Sequence, residues 1–125
     1  MTDLLVELTD SQREAVTHRA GPLLVLAGPG SGKTRVVTHR VAYLLQQGVA
    51  PESILVLTFT NKAADEMRRR VERMAGQTGV WISTFHRFCA RLLRQYAPLA
   101  GLETNYTIYD TNDATAAVRK AMQIL

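Results

Sequence analysis

Continuous apolar runs along this chain alternate with segments in which apolar residues recur every three or four positions. The runs at residues 22–26, 53–58 and 80–82 predict buried strands, of which the last is short. The periodic segments predict the helices that separate them. Strands and helices that alternate in this way form parallel sheets. We therefore predict an α/β fold in which a parallel sheet, incomplete with three strands, is flanked by helices.

Capping residues mark where several of these helices begin. Thr9 and Gln12 fit a capping box for a short helix at residues 9–19, and Asp110 and Asp113 fit another for the last helix. Asn61 is the expected N-cap of the helix after the second strand. The apolar stripes of the four longer helices comprise Val37, Val41, Leu44 and Leu45; Ala64, Met67, Val71 and Met74; Phe85, Phe88, Cys89, Leu92, Leu93 and Tyr96; and Val118, Ala121, Met122 and Leu125.

The segment after the first predicted strand has the sequence of a phosphate-binding loop, Ala27, Gly28, Pro29, Gly30, Ser31, Gly32, Lys33 and Thr34. Glycines let successive backbone N–H groups converge on phosphate oxygens, and the helix that follows adds the positive end of its dipole. In such loops the lysine reaches the outer phosphates and the threonine hydroxyl binds magnesium. We therefore expect a nucleotide site with Lys33 and Thr34 in these two roles, although Ala27 occupies the first glycine position.

No carboxylate occupies the place where an ATPase holds its magnesium and its attacking water. The second predicted strand is followed by Thr58, Phe59 and Thr60, and none of these is acidic. Asp110 is the other candidate, and its position favours a helix cap. We expect the isolated chain to bind phosphates but to hydrolyse them poorly.

The composition excludes some classes of protein but does not identify a function. The 125 residues include 46% apolar residues and a single cysteine, Cys89, which excludes an intramolecular disulfide. Cys89 is expected to pack on an apolar helix face. No apolar run is long enough to span a membrane, so we expect a soluble, cytoplasmic protein. The net charge of +4, carried mostly by arginines, suits contact with phosphates but is weak evidence alone.

Three further segments relate the chain to a particular family of phosphate-loop proteins. Residues 8–12 (Leu-Thr-Asp-Ser-Gln), 58–67 (Thr-Phe-Thr-Asn-Lys-Ala-Ala-Asp-Glu-Met) and 83–86 (Ser-Thr-Phe-His) resemble, in order and spacing, the Q motif, motif Ia and the segment after it in UvrD/Rep/PcrA-type superfamily 1 DNA helicases. These helicases also carry alanine at the start of the phosphate loop. The resemblance implies that residues 1–125 are the N-terminal part of the first RecA-like, P-loop NTPase motor domain, with the remaining helicase domains missing from this chain.

The resemblance also implies roles for individual residues on the nucleotide side. Gln12 would read the adenine edge of ATP, and it could serve the capping box as well. Arg35 would pack against the base, with a solvated helix residue as its alternative.

On the DNA side, the resemblance implies that Phe59 stacks on a base while Thr60 and Asn61 bond to phosphate or sugar. Thr84 and His86 would contact the same strand. The alternatives place Phe59 in the core and leave Asn61 as a helix cap only, and Phe85 is expected in the core in either case. Four arginines on the helix after Asn61 are weaker candidates, because Glu66 and Glu72 can pair with them: Arg68, Arg69, Arg70 and Arg73.

The function implied by this resemblance is that of an ATP-dependent DNA helicase. ATP and Mg²⁺ would drive translocation from 3′ toward 5′ on single-stranded DNA and at duplex junctions, in a longer protein that contains the missing carboxylates. A helicase subunit of a helicase-nuclease, a small self-contained P-loop NTPase or kinase, and a non-enzymatic nucleotide- or DNA-binding module are the alternatives. Exposed apolar faces predict marginal stability or self-association of the 125-residue chain.

Overall fold

The computed structural model describes residues 3–125, which contain five helices and two strands. These are α1 (Asp10–Thr17), α2 (Lys33–Gln46), β1 (Leu55–Thr58), α3 (Asn61–Ala75), β2 (Trp81–Thr84), α4 (Phe85–Gln95) and α5 (Thr111–Ile124), with short 3₁₀ turns at Pro51–Ser53 and Ala97–Ala100. The chain divides into two compact units, one ending at Phe88 and the other spanning Cys89–Leu125.

The first unit is built on a parallel pair of strands. β1 pairs with β2 so that Leu55 lies opposite Trp81 and Thr58 lies opposite Thr84. Helix α3 makes the connection and packs against both strands. The predicted α/β content and the parallel pairing are confirmed, and the sheet within residues 3–125 has two strands.

Two apolar clusters hold this unit together. The larger lies among α2, the strand pair and α3 and contains Val41, Ile54, Val56, Ala64, Met67, Val71 and Ile82. The smaller joins α1 to α2 and contains Leu8, Ala15, Val16 and Val36. Because α1 has only eight residues, it depends on this second cluster for its stability. Helix α2 therefore lies between α1 and α3, and α3 packs on the strand pair.

The predicted first strand, residues 22–26, is not a strand in the structure. Leu24 and Leu26 are 81% and 87% exposed, and no strand of residues 3–125 pairs with this segment. An apolar run supplies side chains for burial, but a strand also needs a neighbour for its backbone hydrogen bonds. Leu23 and Val25 instead line a groove of about 550 Å³ that β1 and α2 also line. Leu55 of β1 is exposed as well, so the prediction that β1 is buried on both faces is wrong.

Several smaller expectations also change. Thr60 rather than Asn61 caps α3, because the extended Thr60 backbone lets its hydroxyl accept from the Ala63 N–H at 3.1 Å. Strand β2 runs two residues past the predicted end at residue 82, and residues 106–109 form no strand. Val37 and Cys89 are exposed rather than packed on their helix stripes.

The second unit has a short polar framework. The Tyr106 hydroxyl donates to the Ala90 carbonyl at 2.6 Å, and the Arg94 guanidinium lies 4.9 Å from the centre of the Tyr106 ring. Asp110 and Asp113 form the predicted capping box at the start of α5. The apolar stripe of α5 is exposed, Met122 included. Among residues 3–125, no helix is long and apolar enough to cross a membrane.

Candidate nucleotide and nucleic-acid site

The phosphate-binding loop leads directly into the first turn of α2. Gly30 and Gly32 have φ angles of 74° and 79°, in the left-handed region that favours glycine. The Ser31 N–H donates to the Gly28 carbonyl at 3.3 Å, which closes the turn. Helix α2 begins at Lys33 without a side-chain cap, so the N–H groups of its first turn point out of the helix without helical acceptors.

The polar side chains of the loop are accessible. Lys33 and Thr34 are exposed at the start of α2, and the remaining loop residues from Ala27 to Gly32 are exposed or half-buried. N–H groups without helical acceptors beside a lysine are suited to an anion with several oxygens. In the described part of the chain, no group of three or more His, Cys, Asp or Glu side chains could hold a metal ion.

Gln12 links helix α1 to this loop. Its Nε2 donates to the Ser31 carbonyl at 3.2 Å, and its Oε1 accepts from the Thr9 N–H at 3.1 Å. The Thr9 hydroxyl accepts in return from the Gln12 N–H at 3.3 Å, which completes the capping box. The cap is therefore present, and the same amide also lies against the phosphate loop. A Cβ added at Gly32 would lie only 2.9 Å from Nε2, which shows how closely the two segments approach.

Arg35 forms an ion pair that the sequence did not suggest. Its Nη2 lies 2.7 Å from Oε2 of Glu7, and both side chains are well exposed. Glu7 and Arg35 are 28 residues apart, so no local pattern connects them. The pair brings the segment before α1 to the same side of α2 as the phosphate loop.

The predicted DNA-contacting residues meet at one edge of the sheet. Because β1 and β2 are parallel and Thr58 lies opposite Thr84, both strands end at the same level. The residues that follow them carry aromatic rings, and the Phe59 and Phe85 centroids are 5.2 Å apart with a 38° tilt. Phe59 is 83% exposed, so its alternative as a core residue is wrong. Phe85 is 41% exposed, which contradicts its expected place in the core.

Some polar side chains at this edge cap the two helices that begin there, and others have no such role. The Thr60 hydroxyl accepts from Ala63, and the buried Thr84 hydroxyl accepts from the Arg87 N–H at 3.2 Å. Asn61 and His86 are exposed in the first turns of α3 and α4. The edge thus presents two rings, an amide and an imidazole.

Three of the four arginines on α3 form contacts within the chain, and the Arg73 Nε donates to the Arg69 carbonyl at 3.4 Å. Arg68 bonds to Asp65 at 2.8 Å and to the Ile82 carbonyl at 3.0 Å, which ties α3 to β2. Arg70 pairs with Glu66 at 2.6 Å. These contacts agree with the interpretation of this helix face as a solvated, paired surface.

Comparison with known proteins settles the family. The UvrD/REP helicase N-terminal domain matches residues 8–124. The chain belongs to this family. Its relatives include the ATP-dependent DNA helicases PcrA of Staphylococcus epidermidis, 48% identical, and of Staphylococcus aureus, 47% identical, each over 98% of this chain. The chain spans only 17% of the length of these relatives.

Membership in the UvrD/REP family confirms the resemblance on which the interpretation of the motifs rested. The Q motif, the phosphate loop and the two segments at the sheet edge all lie within the matched range. These relatives are named as ATP-dependent DNA helicases. Membership does not test the role of any single residue, so those roles enter below as proposals.

Proposed function

We propose that this chain binds Mg²⁺–ATP and single-stranded DNA as the N-terminal part of the first RecA-like motor domain of a 3′–5′ DNA helicase. The observation that carries the proposal is the contact between Gln12 and the Ser31 carbonyl of the phosphate loop. It joins the side chain suited to a nucleobase with the backbone suited to phosphates. The full unwinding cycle belongs to the longer protein.

On the nucleotide side, the loop and the first turn of α2 hold the phosphates. Lys33 contacts the outer phosphates, and the Thr34 hydroxyl contributes one ligand to Mg²⁺, whose other ligands are phosphate oxygens and water. Ala27, Gly28, Pro29 and the glycines that follow provide the backbone of the cradle. Arg35 directly follows Thr34, and its guanidinium plane can pack against the base.

The amide of Gln12 retains the groups that adenine requires. A primary amide has two hydrogens and two oxygen lone pairs. The bond to Ser31 uses one hydrogen, and the bond from Thr9 uses one lone pair. One donor and one acceptor remain, and adenine presents an N7 acceptor beside an N6 donor. Gln12 can therefore read adenine without releasing the loop or the cap.

On the DNA side, the exposed ring of Phe59 stacks on a base, and Phe85 supports it from the neighbouring strand end. Asn61 and His86 contact phosphate or sugar, and Thr60 and Thr84 hold the two helix starts that present them. Stacking of this kind tolerates any base, as a translocating motor requires.

A nucleotide-binding titration tests the first half of this proposal. Lys33→Ala should weaken Mg²⁺–ATP binding strongly, while Lys120→Ala, which removes an exposed lysine of α5, should leave it unchanged. Gln12→Glu keeps an acceptor for the Thr9 N–H but has no N–H to donate, so it should lose ATP affinity with the helix intact. Equal affinity in the Lys33→Ala variant would refute the nucleotide site.

A measurement of ATP hydrolysis distinguishes the proposed motor-domain part from a self-contained NTPase. We expect no ATP hydrolysis by this chain, with or without single-stranded DNA, because Phe59 and Thr60, which directly follow β1, are not acidic and Asp110 caps α5. Hydrolysis that Lys33→Ala abolishes would instead favour a self-contained NTPase.

Titration with labelled single-stranded DNA tests the second half. Phe59→Ala should weaken binding by about 1–3 kcal/mol, the range for loss of one stacked base. Tyr109→Ala is the matched control, because it removes an aromatic ring that is also well exposed and lies in the other unit. Equal losses in the two variants would show that Phe59 is no specific stacking residue.

A further inference from the structure

One arginine of α2 holds the C-terminal end of α1. Nη1 of Arg40 donates to three carbonyl groups at that end, those of Ala15 at 3.0 Å, Val16 at 3.2 Å and His18 at 2.7 Å. The side chain is half-buried, and the pattern of charges and stripes in the sequence did not single it out.

The end of α1 needs such a partner. The last carbonyls of a helix have no N–H donor within the helix, and a cation there also opposes the negative end of the helix dipole. Helix α1 has no basic residue in its last turn, and its C-cap, His18, has an extended backbone with ψ 126°. Arg40 supplies both the donor and the charge from the neighbouring helix.

The opposite end of the same helix carries Gln12, which bonds to Ser31 of the phosphate loop. The side chains of Ala15 and Val16, in the last turn of α1, are also buried against α2. Apolar contacts permit small slides of a helix, whereas hydrogen bonds at its two ends fix its position along the axis. With only eight residues, α1 behaves as a short rod whose one end moves with the other.

We propose that Arg40 is a positioning residue for adenine recognition: by holding the C-terminal end of α1, it places Gln12 against the phosphate loop. The inference rests on the proposed nucleotide site and adds to it the residue that aligns the base-reading side chain with the phosphate cradle. Phosphate binding itself uses the N–H groups of the loop and the side chain of Lys33, whereas the Arg40 bonds go to the end of α1. Loss of the Arg40 bonds therefore affects the adenine part of the affinity alone.

The test compares Mg²⁺–ATP with Mg²⁺–tripolyphosphate, which lacks adenine, on the wild-type chain and on variants. Arg40→Met keeps the apolar stem and removes the donors. It should weaken ATP binding about tenfold, the amount that one or two net hydrogen bonds supply, and leave tripolyphosphate binding within about twofold. Arg40→Lys, which retains a cation and three donors, should recover part of the loss. Arg69→Met, which removes an exposed arginine of α3, is the charge control and should change neither affinity.

The outcomes separate this inference from the proposed function. If Lys33→Ala leaves ATP binding unchanged, the nucleotide site itself is wrong. If Lys33→Ala weakens ATP binding but Arg40→Met lowers both affinities equally, or neither, the positioning role of Arg40 is overturned while the site stands. Circular dichroism establishes that each variant is folded. Should Arg40→Met fail to fold, Arg40→Lys decides: a ratio of ATP to tripolyphosphate affinity equal to that of the wild type overturns the inference, and a lowered ratio supports it.

Discussion

Replacement of Gly32 by alanine tests how closely Gln12 is held against the phosphate loop. Gly32 has φ 79°, so any Cβ there costs about 1–2 kcal/mol of backbone strain. The new methyl would also lie 2.9 Å from Gln12 Nε2, which must then move away. Loss of the bond to Ser31 adds about 0.5–1.5 kcal/mol. We therefore expect Gly32→Ala to lower the free energy of unfolding by about 1.5–3.5 kcal/mol, from the sum of the two effects.

Gly48→Ala is the matched control for this prediction. Gly48 has φ 85° with no atom within 4 Å of the added Cβ, so it carries the backbone strain without the contact. Urea unfolding gives both free energies, and a titration with Mg²⁺–ATP gives the affinities. We expect the control to lose about 1–2 kcal/mol of stability with ATP affinity intact. Equal stability losses in the two variants, with ATP affinity retained in both, would refute the close contact between Gln12 and the loop.

Three further predictions concern caps and exposed apolar surface. Thr9→Ala should lower the free energy of unfolding by about 1 kcal/mol in urea, because α1 loses its N-cap; an unchanged value would show that the capping box contributes nothing. Asp110→Asn should preserve thermal stability, whereas Asp110→Ala should lower it, because asparagine also caps helices; a stable alanine variant would refute the cap. Leu24→Lys should shift sedimentation of the chain toward monomer, because Leu24 is 81% exposed, and a wild-type chain that is already monomeric contradicts the expected self-association.

The elements that the sequence predicted correctly are those whose signals are local. Both capping boxes formed as expected, since the partners lie three residues apart and the backbone sets their geometry. The parallel pairing of β1 and β2 followed from the helix between them. Family membership followed from motifs that retain their order along the chain.

The predictions that failed depended on distant partners. Residues 22–26 have the composition of a strand, but no strand in residues 3–125 pairs with them. The apolar stripe that includes Phe85 is periodic, and periodicity does not reveal whether another element covers the ring. The N-cap of α3 is one residue before the predicted one. Thr60 and Asn61 are both of a residue type that caps helices, and the extended backbone lies at Thr60.

The sequence predicted individual residues of the candidate site but not the contacts between distant residues. The motifs named Gln12, the loop and Phe59, while the contacts of Glu7 with Arg35 and of Arg40 with the end of α1 span more than twenty residues. Such contacts leave no periodic trace in a single sequence. The individual binding roles remain predictions, which the titrations above test.

The parallel pairing of β1 with β2 also determines where this chain can change length. Phe59 and Phe85 meet because each follows its strand directly, so an insertion or deletion within either strand would turn the ring to the opposite face of the sheet. Residues 76–80, between α3 and β2, have no such constraint, since they form no helix or strand. The number of residues between the two motifs can therefore vary during evolution or design, while the distance of each motif from its own strand cannot.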